Sequence, residues 1–402
     1  PDIGADEFST SLTPLAGTYT VGASGDYPTP VAAAADVAVR GVSAAVSFLI
    51  QNGTYNGVIT LTPLTGANTL NRVRFVAQSG NAADVTLQAP AIIADGSDAV
   101  VRLDGARYVD FDSLTIFATA NSSSGALAFL LHASMADRFQ GCTFNSSGSN
   151  RLYLHCTSGN VDNLEVRNCQ FQMPQAGCTA VSLTGTGTMN GAILQGNTIS
   201  STLTSSNGIL TSLTATSAMF EGNTISLGGG GQGLSIVNIP SLTVRGNRIT
   251  GTATAIDLGS GSGGLIANNM VQATGNALVL NLPPATTIAF NTLVASGINP
   301  VMSVPNSVAG RLTLLNNILA APGGAPALQM STSTPAALVA SDYNDFYTTG
   351  LNLFTLGAIN YASLPAWRAA TPFDAHSVSA NAGLISATDL HSSAPALNNA
   401  GT

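Results

Sequence analysis

The sequence predicts an all-β chain wound as a right-handed parallel β-helix, a solenoid of about 11 coils of 22–28 residues. A short helix is expected to cap its N-terminal end and an irregular segment its C-terminal end. Three observations predict this: a turn phrase recurs at a nearly fixed interval, apolar residues around it alternate with period two, and only 8% of residues are charged, against roughly 25% in ordinary domains. A stack of coils is not bound by the usual domain size, so the 402 residues read as one elongated body.

The phrase appears as Gly196-Asn197-Thr198-Ile199, Gly222-Asn223-Thr224-Ile225, Gly246-Asn247-Arg248-Ile249, Asn268-Asn269-Met270-Val271, Phe290-Asn291-Thr292-Leu293 and Asn316-Asn317-Ile318-Leu319. Upstream, Cys169, Cys142 and Leu114 fall in the same column. Successive spacings from Leu114 to Asn317 are 28, 27, 28, 26, 24, 22, 22 and 26. Self-similarity at such a period marks a repeat architecture. Leu164/Val166, Leu242/Val244 and Leu312/Leu314 precede the column, and Val181/Leu183, Leu234/Ile236, Ile256/Leu258, Leu278/Leu280 and Leu328/Met330 follow it. Both runs alternate as half-buried strands do. Leucine-rich repeats share the period, but their helix or fixed leucine phrase is missing.

Coils stacked about 4.8 Å apart would place Asn197, Asn223, Asn247, Asn269, Asn291 and Asn317 above one another. Buried amides are costly without partners, and a ladder would satisfy both donor and acceptor of every interior member. The same stacking puts Cys142 one rung from Cys169, inside the Cα separation a disulfide needs. Bonded or free, the two thiols continue the column. All four cysteines, Cys142, Cys156, Cys169 and Cys178, lack the paired spacing of a zinc site and read as structural.

In chain order, residues 1–16 are expected to be a strand or linker, 17–60 an N-terminal cap, 61–340 the coils and 341–402 a C-terminal cap. Within the first cap, Pro28-Thr29-Pro30 leads into an alanine-rich stretch over residues 31–40, with Gly41 as its stop. This predicts one amphipathic helix over the first coil. Beyond residue 340 the period is lost, and Trp367, His376 and His391 belong to the second cap.

Composition excludes several function classes. All twelve basic residues are arginine, so lysine chemistry is absent. A formal charge of −8 with no basic patch argues against a nucleic-acid partner. No apolar stretch is long enough to insert into a membrane. The chain begins at Pro1 without a signal-like segment; a leader, if one exists, has been removed or lies upstream.

At both ends the residues themselves become familiar. Gly17-Thr18-Tyr19-Thr20-Val21-Gly22, Gly25-Asp26-Tyr27 and Gly53-Thr54-Tyr55 resemble the N-terminal cap of parallel β-helix modules in large secreted surface proteins of Bacteroidota, of the adhesin-like, type IX secretion type. Ser341-Asp342-Tyr343-Asn344-Asp345-Phe346-Tyr347, Trp367-Arg368, His376-Ser377-Val378-Ser379-Ala380, Thr388-Asp389-Leu390-His391 and Ala394-Pro395-Ala396-Leu397-Asn398 resemble their C-terminal cap. The resemblance implies a secreted, cell-surface module. In that family the phrase Pro1-Asp2-Ile3-Gly4-Ala5-Asp6-Glu7-Phe8 closes the module, whereas here it comes first. This implies one period of a head-to-tail array, with Pro1, Asp2, Ile3, Gly4 and Phe8 meeting Pro395, Leu397, Asn398 and Thr402 of a neighbouring copy.

Candidate chemistry is sparse. Parallel β-helices host pectate lyases, polygalacturonases and pectin methylesterases, so a polysaccharide-active chain is the main rival; fold alone does not decide. The one dense charged cluster is Asp95, Asp98, Arg102, Asp104, Arg107, Asp110 and Asp112, several of which read as turn residues. Asp342, Asn344 and Asp345 loosely resemble a calcium loop but lack its glycine and distal glutamate. His132, His155, His376 and His391 are scattered, without a nucleophile phrase. Regular Thr or Ser ranks for an ice or crystal surface are not evident in the Ser/Thr-rich stretch 201–217. The expectation is therefore an extracellular structural or adhesive module and not an enzyme, with no catalytic residue, metal or cofactor. Its expected partners are copies of itself and possible surface glycans. A polysaccharide-binding or polysaccharide-cleaving β-helix is the alternative and a surface-binding solenoid the lesser one.

Overall fold

A computed structural model describes residues 12–93, 97–120, 125–281, 283–306, 309–332, 335–386, 389–397 and 401. Period-two alternation folds as the pattern requires, one side of each strand facing an apolar interior and the other facing water. Three parallel sheets run the length of the rod. Sheet A has thirteen strands from Leu15–Val21 to Leu338–Asp342, and sheet B twelve from Gly53–Asn56 to Asp345–Thr348. Sheet C has thirteen, from Ile59–Leu61 to Phe354–Leu356, finished by Ile359–Tyr361, which pairs antiparallel. One coil runs Ser217–Glu221 in A, Thr224–Ser226 in B and Gln232–Ile236 in C, then re-enters A at Ser241–Arg245.

This is an all-β solenoid of about twelve turns, one more than the eleven expected. The difference lies in the first coil. Strands Leu15–Val21 and Val42–Ile50 of sheet A join the stack before the turn phrase first appears, with a helix between them.

That helix, α1 (Pro30–Arg40), starts with Thr29 as N-cap, whose hydroxyl accepts the Ala32 N–H at 3.1 Å, and with Pro30 in the first turn. It ends at Gly41, whose φ of 64° combined with a ψ of −165° suits only a residue without a Cβ. Ala33, Ala34 and Val37 are buried, and α1 lies against Ile59–Leu61, the open edge of sheet C. At the far end α2 (Leu364–Ala370) buries Trp367, whose ring stacks on Phe354 at 4.4 Å and whose Nε1 donates to Asp374 at 2.8 Å. Both ends thus hide an edge that would otherwise pair with another chain.

Inside, equivalent residues stack rung upon rung. Phe48, Phe75, Phe111 and Phe139 of sheet A follow one another at centroid distances of 5.0, 5.4 and 5.4 Å. Phe144 stacks on Phe171 at 4.7 Å in sheet B. Each buried ring contributes about 1.5–3 kcal/mol of transfer free energy, so the core holds the rod along its whole length.

The turn from sheet A to sheet B carries the asparagine column. Asn197 Nδ2 donates to Asn223 Oδ1 at 2.9 Å, and the pattern repeats through Asn247, Asn269, Asn291 and Asn317 to Asn344 at 2.9–3.0 Å. Each amide also donates to a strand carbonyl, as Asn247 does to Phe220 at 2.8 Å. Each Oδ1 also accepts the main-chain N–H of the residue one rung earlier, Cys169 for Asn197 and an asparagine for the others. Below Asn197 the column continues as free thiols: Cys169 Sγ donates to Phe139 O at 3.3 Å and Cys142 Sγ to Phe111 O at 3.4 Å. Cys156 and Cys178 are also free and buried.

Candidate functional site: a charged cleft on sheet A

The outer face of sheet A concentrates the chain's few charges. Register places Arg74, Asp110, Arg138 and Glu165 side by side on successive strands. Two residues further along, Asp112, Gln140, Arg167, Gln195, Glu221 and Arg245 form a second column. Alternating strand geometry sends these side chains outward because Phe75, Phe111, Phe139, Val166, Leu194, Phe220 and Val244 point in.

Opposite charges interlock between the columns. Arg74 reaches Asp112 at 2.8 Å, Arg138 reaches Glu165 at 3.2 Å and Arg167 reaches the same carboxylate at 2.9 Å. Arg245 pairs with Glu221, its Nε at 3.0 Å. Arg72, just before its strand, grips both oxygens of Asp110 through Nε at 3.0 and 2.9 Å and donates to Ala136 O at 2.7 Å. Arg72 and Asp110 are nearly buried, whereas Arg74 and Arg138 keep 44% and 45% of their side chains exposed. The exposed guanidiniums are thus available to a ligand, and the buried pair forms a fixed floor.

Two adjoining hollows open here. One, of about 440 Å³, is lined by Leu70, Arg72, Arg74, Asp112, Arg138 and Glu165. The other, of about 220 Å³, adds Tyr108 and Asn163 to Arg72, Arg138 and Glu165. Tyr108 stands at a left-handed φ of 62°, a strained position for a bulky residue, and the Arg72 guanidinium lies 5.8 Å from its ring centre. Burial works to raise the Glu165 carboxyl, but the hydrogen bond from Arg167 and the charge of Arg138 outweigh it and hold the group below its usual range. Behind the floor lies Asp137, fully buried, with Oδ1 accepting the Val109 N–H at 2.9 Å and Oδ2 without a partner. Burial pushes this carboxyl well above its usual range, against the hydrogen bond from Val109 and the charge of Arg72, which lower it.

The dense stretch 95–112 does not come together. Asp110 and Asp112 belong to sheet A, in a strand rather than a turn. Arg102 and Asp104 lie on sheet C, where Asp104 bonds His132 Nδ1 at 2.5 Å and Arg102 at 3.4 Å. The His132 hydrogen bond chiefly lowers the Asp104 carboxyl. Asp98 accepts the backbone N–H of Ile92 and Ile93, a loop-holding role. Arg107 donates to Ala133 O at 3.3 Å. Asp95 lies outside the described residues.

Of the other histidines, His155 stacks on Phe129 and bonds Ser182 O, while His376 and His391 bond Asp342 and Asp389. The loosely calcium-like trio is occupied within the cap: Asp342 by His376, Asn344 by the ladder, and Asp345 by the Ala380 N–H. Among the described residues no group of three or more His, Cys, Asp or Glu could hold a metal ion, and no helix is long and apolar enough to cross a membrane. On the outer face of sheet B, Thr198 and Ser200 stand beside Thr224 and Ser226, but Gln170 and Gln172 on one side and Arg248 on the other interrupt the rank. Of the residues expected at an array junction, Pro395 and Leu397 lie in a short 3₁₀ turn. Pro1, Asp2, Ile3, Gly4, Phe8, Asn398 and Thr402 lie outside the described residues.

Arg72, Arg74, Arg138, Glu165, Arg167 and Glu221 escaped sequence reasoning. Counting back from the turn column would have found four of them: Arg138 and Glu165 stand four residues before Cys142 and Cys169, as Asp110 does before Leu114, and Arg167 and Glu221 stand two before Cys169 and Asn223, as Asp112 does before Leu114; Arg72 and Arg74 precede the first member of the column.

The pattern of right-handed β-helix regions matches residues 99–271 and 158–319. No curated protein matches the chain. Among solved structures, it is similar to a mannuronic-acid-specific polysaccharide family 6 lyase from human gut microbiota (12% identity, TM-score 0.46, 91% of each chain covered). It is also similar to a variant of the family 6 alginate lyase AlyGC (10% identity, TM-score 0.30, covering 87% of this chain and 58% of that one). A third is the A-module of a mannuronan C-5 epimerase from Azotobacter vinelandii (10% identity, TM-score 0.28, covering 84% and 91%). The expectation of a structural or adhesive, non-enzymatic module is corrected here: the solved proteins it is similar to are two polysaccharide lyases and an epimerase. At such identities the likeness is one of fold, so the chemistry must come from the cleft. Neither the Bacteroidota origin nor a filament-forming role is supported by these matches. The chain belongs to the right-handed β-helix family.

Proposed function

We propose that this chain binds an acidic, uronate-containing polysaccharide along the outer face of sheet A and cleaves it by β-elimination. The observation that carries the reading is the meeting of two half-exposed guanidiniums, Arg74 and Arg138, with the ionised Glu165 and the phenol of Tyr108 around one open cleft. Guanidinium forks recognise carboxylates in a bidentate fashion. The rung spacing of about 4.8 Å is close to the length of one sugar residue, so a chain lying along the columns meets a charged side chain at each step.

Neutralising a uronate carboxylate makes the proton on the adjacent carbon acidic, because the enolate-like charge that develops is stabilised in place. Glu165 accepts that proton. The bond from the β-carbon to the glycosidic oxygen then breaks, a double bond forms between the two carbons, and Tyr108 supplies the proton to the departing oxygen. Hydrolysis fits less well, since it needs an exposed carboxyl held protonated as general acid. Here the Glu165 carboxyl is held below its usual range, and Asp137, whose carboxyl burial raises, is sealed behind the floor.

The test is ultraviolet detection of unsaturated uronate after incubation with polymannuronate, polyguluronate or polygalacturonate, with a neutral glucan as control. Arg138→Ala and Arg74→Ala are expected to lower kcat/KM by on the order of 10²-fold. Their denaturation midpoints should barely move, because exposed ion pairs contribute about 0–1 kcal/mol. Glu165→Gln should lower kcat more than it raises KM. Absence of unsaturated product from every uronan would overturn the reading.

A further inference from the structure

A second hollow lies at the other end of the rod, far in sequence from the charged cleft. It measures about 220 Å³ and is lined by Phe290, Asn316, Ile318, Tyr343, Asp345, Val378 and Leu397. No arginine is among its described lining residues. Two features set it apart from an ordinary crease between coils.

The first is aromatic residues where the turn disfavours them. The residue before each column position adopts a left-handed φ: Gly141, Asn168, Gly196, Gly222, Gly246, Asn268 and Asn316 hold it between 52° and 66°. Glycine and asparagine tolerate this at little cost, whereas other residues are strained there. Yet Phe290 and Tyr343 occupy the same position at 58° and 56°, one on each side of Asn316. Tyr343 is braced by stacking on His376 at 4.8 Å. Phe290 leaves 55% of its surface exposed. Strain of this kind persists where the local shape is needed.

The second is an unsatisfied carboxyl in the floor. Asp345 is 3% exposed; its Oδ1 accepts the Ala380 N–H at 2.8 Å, but Oδ2 is buried without a partner. A buried acceptor left without a donor is destabilising, and a ligand hydroxyl would relieve it. Burial raises the carboxyl to about 6, which makes it a hydrogen-bonding group with little charge in mildly acidic solution.

We propose that this hollow binds one neutral pyranose ring of a glycan, its apolar face against Phe290 and a hydroxyl bonded to Asp345 Oδ2. An apolar side chain would leave Oδ2 unsatisfied, and a uronate would bring a second carboxyl to a site without a cation. At about 30 Å³ per water the space equals some seven waters, room for one ring. The site is independent of the charged cleft, since it shares no residue with it and selects the opposite charge class.

Saturation-transfer NMR on the full chain tests this, with the methyl pyranosides of glucose, mannose and galactose as probes and galacturonic acid as control. Transfer to at least one neutral glycoside is expected, and none to the acid. Phe290→Asn should reduce it at least tenfold while leaving the denaturation midpoint unchanged or higher, because asparagine is the residue at the equivalent Asn268 and Asn316. Asp345→Asn should weaken binding several-fold, and Arg138→Ala should leave it intact. Absence of transfer, transfer undiminished in Phe290→Asn, or loss in Arg138→Ala would each overturn the site. The last result would instead place the sugar in the charged cleft.

Discussion

Replacing Asn247 by alanine is expected to destabilise the chain by about 3–9 kcal/mol, far more than a surface polar residue, which is worth within roughly 0.5 kcal/mol. Asn247 Oδ1 accepts both the N–H and the Nδ2 of Asn223 at 3.0 Å, and its own Nδ2 donates to Phe220 O at 2.8 Å. Alanine strands all three of those groups in a dry interior, at about 1–3 kcal/mol each. Water cannot easily replace the amide, because Asn223 and Asn269 on either side are fully buried. Asn247→Cys should fall between, since Cys142 and Cys169 show that a thiol in this column can still donate to the strand carbonyl but offers no comparable acceptor. Asn145→Ala, on the solvent face of sheet B, is the control. Urea titration reads all three, and a loss below about 1 kcal/mol for Asn247→Ala would mean that the amides merely fill the column.

The same column explains why the fold was legible. A solenoid repeats its tightest turn once per coil, so the residue needing a left-handed φ and the buried amide beside it recur together, and the pair stands out wherever it reads Gly-Asn or Asn-Asn. It fades where the turn uses other residues. At Ser113-Leu114 the column continues with neither glycine nor asparagine, although Ser113 has the same left-handed φ of 55°. In the first coil α1 replaces the strands that would carry it.

The cleft was harder to read because linear and spatial neighbours diverge in this architecture. Asp104 and Asp110 are six residues apart, yet the corner at Gly105 to Tyr108 sends one to sheet C and the other to sheet A. Asp110, Arg138 and Glu165 are separated by 28 and 27 residues but are adjacent in register. Charge density along the chain therefore pointed to a cluster that the fold disperses, and the quiet composition hid one that it assembles. Asp137 gave no signal at all: nothing in Ala136-Asp137-Arg138 distinguishes a sealed carboxyl from an exposed one.

Asp110→Ala is expected to cost about 3–5 kcal/mol, because it leaves the nearly buried Arg72 guanidinium without the carboxylate that it grips with two nitrogens. The double change Arg72→Met with Asp110→Leu should recover much of that loss, since removing both charges removes the desolvation cost together with the attraction. Cleavage should stay lost in both, because the floor that positions Arg138 and Tyr108 is gone. Asp137 sets the pH dependence of the same corner. Its folded-state pKa lies well above the unfolded value of about 4. Above pH 4 the unfolded chain therefore releases a proton that the native state keeps, and this group's contribution to stability falls as pH rises through that window. Glu165 acts in the opposite sense, its folded value being lowered, so its contribution is present above its unfolded value and is lost as pH falls. Asp137→Asn should abolish the downward slope and raise stability at neutral pH while sparing the Arg72–Asp110 pair. A slope unchanged by Asp137→Asn would mean that this carboxyl is ionised in the native state and that Arg72 balances two carboxylates rather than one.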